Sequence, residues 1–282
     1  MKRLFLTLLL LPSLLKAAGG EGVSAKATEL FKIADFPVTN SVLTTWIIAL
    51  LIIVTVRITV GTPKLIPGKG QSVIEGMAQG LRDALEPIVG KKMIGKVFPP
   101  LCAFFVFILL MNWSGLLPGV GTLKYQNSTG WVDAIRPANS DLNTTLALSI
   151  LSFVFWSYFV LRYAGLKVLI FDLFGNKADK KEIGLPMWLL LSFIFIGVGG
   201  IEVISIFFRI ISLSFRLYGN VFGGENLIHA LGNTVPYVVP ALAAMLELLV
   251  GLIQAFVFTL LSAVYIGLIC NHEGGHDEEH AH

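Results

Sequence analysis

Long apolar runs separated by short polar stretches dominate the hydrophobic pattern of this chain. Five runs are long enough to cross a bilayer, which takes about 20 apolar residues in a helix. They fall at about 41–60, 98–117, 142–161, 185–232 and 236–269. The last two exceed a perpendicular span, so they must tilt, bend or lie partly along the membrane. Residues 72–90 follow another rule. Val73, Met77, Leu81, Leu85 and Ile88 recur at helical spacing, and Glu75, Gln79, Arg82, Asp83 and Glu86 fill the other faces. That pattern predicts an amphipathic helix on a membrane surface or against a partner. The expected fold is all-α and integral to the membrane, with five embedded helices and one amphipathic surface helix.

Composition supports this reading. The chain is 55% hydrophobic and only 14% charged, with mean hydropathy +0.78; soluble domains carry about 25% charged residues. Length is therefore a count of spans. The net charge of +3 matters through its placement. Arg57, Lys64, Lys69, Arg82, Lys91, Lys92 and Lys96 cluster in segment 57–96, and Arg162, Lys167, Lys177, Lys180 and Lys181 in 162–181. Segment 118–141 holds only Lys124 and Arg136. The positive-inside rule puts the two basic segments in the cytoplasm, with the N-terminus outside and the C-terminus inside.

The ends read differently. Met1-Lys2-Arg3 precedes the apolar run Leu4 to Leu11, then Pro12, Ser13, Lys16 and the small residues Ala17, Ala18, Gly19 and Gly20. A basic start, a short apolar run and small residues make 1–20 an expected secretory leader. Residues 21–40 form a mixed outside segment. Residues 271–282 form a His-rich, acidic tail, read as solvated.

Several chemistries are excluded. Pro67-Gly68-Lys69-Gly70-Gln71 lacks the first-glycine spacing and the Ser/Thr of a phosphate loop, so it reads as a turn. Cys102 and Cys270 lie in apolar segments and read as small hydrophobes. No Cys/His spacing resembles a zinc site. No cofactor and no nucleic-acid partner are expected.

Arg216 is the energetic anomaly. It sits in the apolar stretch Ile210 to Phe222. A cation near the middle of a membrane helix costs at least a few kcal/mol, and guanidinium does not escape by losing its proton. On a helix, residues seven apart are offset by about 20°, so Arg209 and Arg216 share a face, and Asn220 lies one turn further on it. Glu202 falls within about 40° of Arg216. Glu225 lies about 180° away and about 13 Å along the axis. On the last helix, Glu247 and Gln254 share a face by the same spacing. Intramembrane carboxylates of this kind line cavities, relay protons or pair with cations. One arginine with separated carboxylates suits ion movement better than static structure.

Four segments carry a family resemblance. The first is Ser212-Leu213-Ser214-Phe215-Arg216-Leu217-Tyr218-Gly219-Asn220-Val221-Phe222-Gly223-Gly224-Glu225. The others are Gln254-Ala255-Phe256-Val257-Phe258 with Tyr265, Asn112-Trp113-Ser114-Gly115-Leu116-Leu117-Pro118-Gly119, and Ala138-Asn139-Ser140-Asp141-Leu142-Asn143-Thr144-Thr145 running on to Leu148. In order and spacing over 41–270 the chain resembles subunit a of the F-type ATP synthase. The resemblance implies two ion half-channels, most naturally for protons, beside two long tilted helices packed against a ring of c subunits. Arg216 matches the family's essential arginine, and Asn220 and Gln254 match polar residues near it. Glu225 and Glu247 match outer half-channel positions; Glu247 is histidine in some members. Asp141 and Asn143 match polar residues at the outer end of the third span. Glu202 and Arg209 match positions toward the cytoplasmic entrance, and Asn112 belongs to a further channel-lining motif. Ile210 departs from the family's common proline, which leaves a kink there unsupported.

The implied partners are the c-subunit ring, the b-subunit peripheral stalk, the rest of the synthase and membrane lipid. The implied location is a bacterial inner membrane, and the implied role is ion translocation without covalent chemistry on a substrate. A secondary transporter would also use midplane charges on broken helices, but no second copy of the arginine segment is present. A structural scaffold is the third reading, and it would tolerate neutralising Arg216.

Overall fold

Seven helices and two small hairpins make up the described part of the chain. In this computed structural model the described residues are 27–33, 36–117, 120, 124–127, 130–133, 135–174, 185–234 and 238–270. The expected leader over 1–20 and the tail over 271–282 lie outside them. The helices are α1 (Asn40–Val60), α2 (Lys69–Val89), α3 (Lys91–Ser114), α4 (Leu142–Phe159), α5 (Gly165–Phe174), α6 (Leu185–Thr234) and α7 (Val238–Cys270). Five helical stretches are long and apolar enough to cross a membrane, and the chain is an all-α integral membrane protein.

Local chemistry sets the boundaries. Thr39 caps α1 by accepting a hydrogen bond from the Val42 N–H, and Gly61 ends the helix at φ 55°. Asp141 caps α4 by accepting from the Asn143 N–H; such side chains satisfy the orphan donors of a first turn. Gly90, at φ 87°, turns the chain from α2 into α3, a left-handed conformation that glycine adopts without steric cost. A π-helical turn, Val160–Ala164, extends α4 to Gly165.

Several elements depart from the sequence reading. α3 starts at Lys91 rather than near 98 and ends at Ser114. Its early start buries Met93, Ile94 and Val97 in one cluster with Leu81, Leu85 and Val89 of α2. The basic segment 162–181 contains helix α5. Hairpins pair β1 (Glu29–Ile33) with β2 (Phe36–Thr39) and β3 (Lys124–Asn127) with β4 (Gly130–Asp133), both antiparallel. Of the amphipathic stripe on α2, Leu81 and Leu85 are buried, whereas Val73 and Met77 are exposed.

Among the described residues the interior holds two larger apolar clusters between α3, α4 and α7 and a smaller one of Ile48, Met111 and Ala138. Of the larger two, one joins the α2–α3 turn to Trp156, Phe159, Ala263 and Ile266. The other joins Phe104 and Ile108 of α3 to Leu213 and Leu217 of α6 and Phe258 of α7. Close backbone approach seats α7. A Cβ on Gly251 would lie 3.1 Å from the Asn112 Cβ, and one on Gly267 would lie 3.3 Å from the carbonyl carbon of Ile88. α6 is covered on one side only: the apolar window of its span is 6% buried, against 44% for α7.

Candidate ion-translocation site

Burial along α6 alternates with helical period. Leu213, Ser214, Leu217 and Val221 are buried inward, and Arg216 is exposed on the outer side. Among the described residues, Arg216 makes no ion pair or hydrogen bond. Phe215 and Gly219 beside it are also exposed. The guanidinium therefore stands on an uncovered, mainly apolar helix face.

One turn on, α6 and α7 are joined by a side-chain bond. The Asn220 Nδ2 donates to Gln254 Oε1 at 2.8 Å. Gln254 is 4% exposed, and its Nε2 is buried without a hydrogen-bond partner among the described residues. Burying an amide donor unsatisfied costs about 1–3 kcal/mol, so this N–H group is held ready for an acceptor.

Glu225 faces α7 rather than the side of Arg216, as the helical offset predicts. Its carboxylate and that of Glu247 are within electrostatic reach of each other, and both Oε2 atoms are buried. The Glu247 carboxylate rests against Gly224: a Cβ there would come within 2.6 Å of Glu247 Cδ and 3.0 Å of Oε2. Gly224 is thus the gap in α6 that lets a carboxylate from α7 lie beside Glu225.

The remaining candidates separate. The Arg209 guanidinium lies 3.2 Å from the centroid of the Tyr265 ring, a cation–π contact between α6 and α7. Glu202 is exposed and within electrostatic reach of Arg209. Asn112 is 3% exposed. Its Nδ2 donates to the Gly251 carbonyl at 3.0 Å, and its Oδ1 accepts from Asn139 Nδ2 at 2.8 Å. Trp113 Nε1 donates to the Leu248 carbonyl at 3.0 Å. Asn112 and Trp113 therefore grip α7 between Glu247 and Gln254. Asp141 and Asn143 are not drawn into this group. Asp141 Oδ1 accepts from the Asn143 N–H at 3.1 Å and from its Nδ2 at 3.3 Å.

Sequence reasoning gave no role to the buried hydroxyls. Thr145 Oγ1 and Ser214 Oγ are 3.1 Å apart across α4 and α6, and Ser152 Oγ and Ser262 Oγ are 2.8 Å apart across α4 and α7. The signal was present. Thr145, Ser149 and Ser152 recur at helical spacing in an otherwise apolar helix.

A family model described as ATP synthase A chain matches residues 42–267, a range that runs from the first apolar span into the last and takes in every residue of the site. The chain belongs to the ATP synthase A chain family. A curated relative, ATP synthase subunit a of Moorella thermoacetica, is 31% identical over 242 residues, covering 86% of this chain and 95% of the relative. Membership makes the chain a multi-pass, non-catalytic part of an ATP synthase membrane sector, with a stator role in ion transport and ATP synthesis. Its setting is the rest of that complex.

Proposed function

We propose that this subunit supplies two proton half-channels and, in Arg216, the charge that separates them, coupling proton flow to rotation of a c-subunit ring. One observation carries the reading: Arg216 is exposed and, among the described residues, without an ionic partner on an uncovered face of a membrane helix. Left against lipid, that charge would cost at least a few kcal/mol. A partner must cover the face and bring an anion to it, and a ring of carboxylate-bearing helices does both. Gly219 and Gly223 lie along the same face as Arg216 and Asn220, which lets a partner helix approach closely.

A ring carboxylate crosses lipid neutral, since its charged form is costly there. Opposite Arg216 it gives up its proton, because an adjacent cation favours the charged form. Glu225 and Glu247, with Asn112 beside them, form the outer half-channel that reloads the next carboxylate. Glu202 and Arg209 lie toward the inner one. Arg216 repels a proton attempting to pass directly between the two. Each charge moved across 100 mV contributes about 2.3 kcal/mol to biasing rotation. The b-subunit stalk holds the subunit against the ring. The membrane is a bacterial inner membrane, with the N-terminus outside and the C-terminus in the cytoplasm.

Arg216→Ala is expected to abolish ATP-driven proton pumping by the intact complex in inverted membrane vesicles, and Arg216→Lys to remove most of it, because lysine can deprotonate in a low-dielectric site. Normal pumping and synthesis in Arg216→Ala would sink the proposal.

A further inference from the structure

A line of buried hydroxyls runs through the bundle on the covered side of α6, the side that Ser214 faces, and reaches Arg209 at the edge of the Arg216 face. Thr145, Ser149 and Ser152 lie on one face of α4, with at most 7% exposure, and span about 10 Å along the axis. The line begins near Asp141, the α4 cap, and meets Ser214 of α6 and Ser262 of α7. At its far end Ser149, Ser152, Ser262, Trp156, Tyr265 and Arg209 line a cavity of about 20 Å³, room for about one water.

Hydrogen-bond bookkeeping defines what that cavity can take. Ser149 Oγ donates to the Thr145 carbonyl at 3.0 Å, and Ser262 Oγ donates to the Phe258 carbonyl at 2.9 Å. A hydroxyl has one hydrogen, so Ser152 must be the donor to Ser262. Ser149 and Ser152 are left with only lone pairs to offer. Arg209, half-buried against Tyr265, has only N–H groups to offer. Acceptors and donors around one water-sized space suit a neutral water, and the guanidinium disfavours any cation there.

This seam poses a problem for an ion-translocating subunit: hydroxyls beside a space that takes one water would offer protons a way around the ring. We propose that Arg209 is the stopper of this seam, a fixed cation that bars protons from the hydroxyl line and the water-sized space beside it. Arg209 thereby has a task separate from that of Arg216. The inference rests on the proton-translocating reading above, and its test is read on a different flux.

The test uses vesicles containing the intact complex, with the ring carboxylates blocked by a hydrophobic carbodiimide so that ring-borne flux stops. Decay of an imposed pH gradient then reports leak alone. Arg209→Gln is expected to raise the leak severalfold, and Arg209→Lys to leave it at the level of the unaltered complex. Adding Ser149→Ala and Ser152→Ala to Arg209→Gln, which removes the hydroxyls that would hold a water, is expected to return the leak toward that level. A tight Arg209→Gln complex would overturn the stopper role. A leak that persists in the triple variant would overturn the seam, since it would come from general disruption. Should pumping survive Arg216→Ala instead, the ring mechanism fails while the leak measurements keep their meaning.

Discussion

Glu225 and Glu247 show how one residue without a side chain sets the chemistry of two that have them. A carboxylate that hands on protons works only where its neighbours place it, and Glu247 is placed by the gap at Gly224. The pairing depends on Gly224, because a methyl group there would occupy the space of the Glu247 carboxylate. Gly224→Ala should therefore displace Glu247 and slow ATP-driven pumping severalfold without abolishing it. The shorter acid in Gly224→Ala/Glu247→Asp should recover part of the rate, because its carboxylate withdraws from the added methyl. Initial rates of pH-gradient formation in vesicles would measure both. If Gly224→Ala pumps at the unaltered rate, the close approach has no bearing on transport.

Among the elements, α7 is held by a polar clamp as much as by apolar packing. Asn112 ties the Gly251 carbonyl to Asn139, and Trp113 ties the Leu248 carbonyl. Both bonds fall between Glu247 and Gln254, so they fix the rotation of the segment carrying the candidate residues. Interhelical hydrogen bonds in membranes are worth about 0.6 kcal/mol on average and up to about 1.7. Asn112→Leu should cost about 1–2 kcal/mol of stability, seen as a lower unfolding midpoint in detergent. Pumping should fall more than abundance, because the clamp positions Glu247 and Gln254. Equal losses of both would reduce Asn112 to a structural bond. The clamp partner Asn112 was legible in the sequence as a polar residue of a motif, but its target is a backbone carbonyl, which no side-chain pattern reveals. Asp141 was legible as a polar residue at the start of α4, yet its carboxylate serves as a cap. The helical spans were legible because a long apolar run in a membrane satisfies its own backbone. The early start of α3 was not, because Lys91 and Lys92 dilute the apolar signal while Met93 and Ile94 are buried by contacts distant in sequence. The hairpin strands are too short for a period-two pattern to stand out.

At the scale of the whole molecule, exposure is distributed unevenly. The span of α6 leaves a long face uncovered, and that face carries Arg216. Ile201, Phe208 and Phe215 recur every two turns beside the arginine stripe, with exposures of 69%, 63% and 55%. α1 is also exposed, with Ile53 at 61%, but its one charge, Arg57, sits in its last turn, where a long side chain reaches the membrane surface. Lipid suffices there; on α6 it does not. Cysteines placed at Ile201, Phe208 or Phe215 should therefore form disulfides with cysteines placed on the outer face of ring helices, and the reacting ring position should move along its helix in step with the substituted position. Ile53→Cys should give no ring product. Ile108→Cys, at a position with no exposure, should give none either. Gel-shifted adducts of this subunit with one c subunit are the readout. Adducts from Ile53→Cys with none from Phe208→Cys would place the ring against α1, and Arg216 would then have no supplied anion to act on.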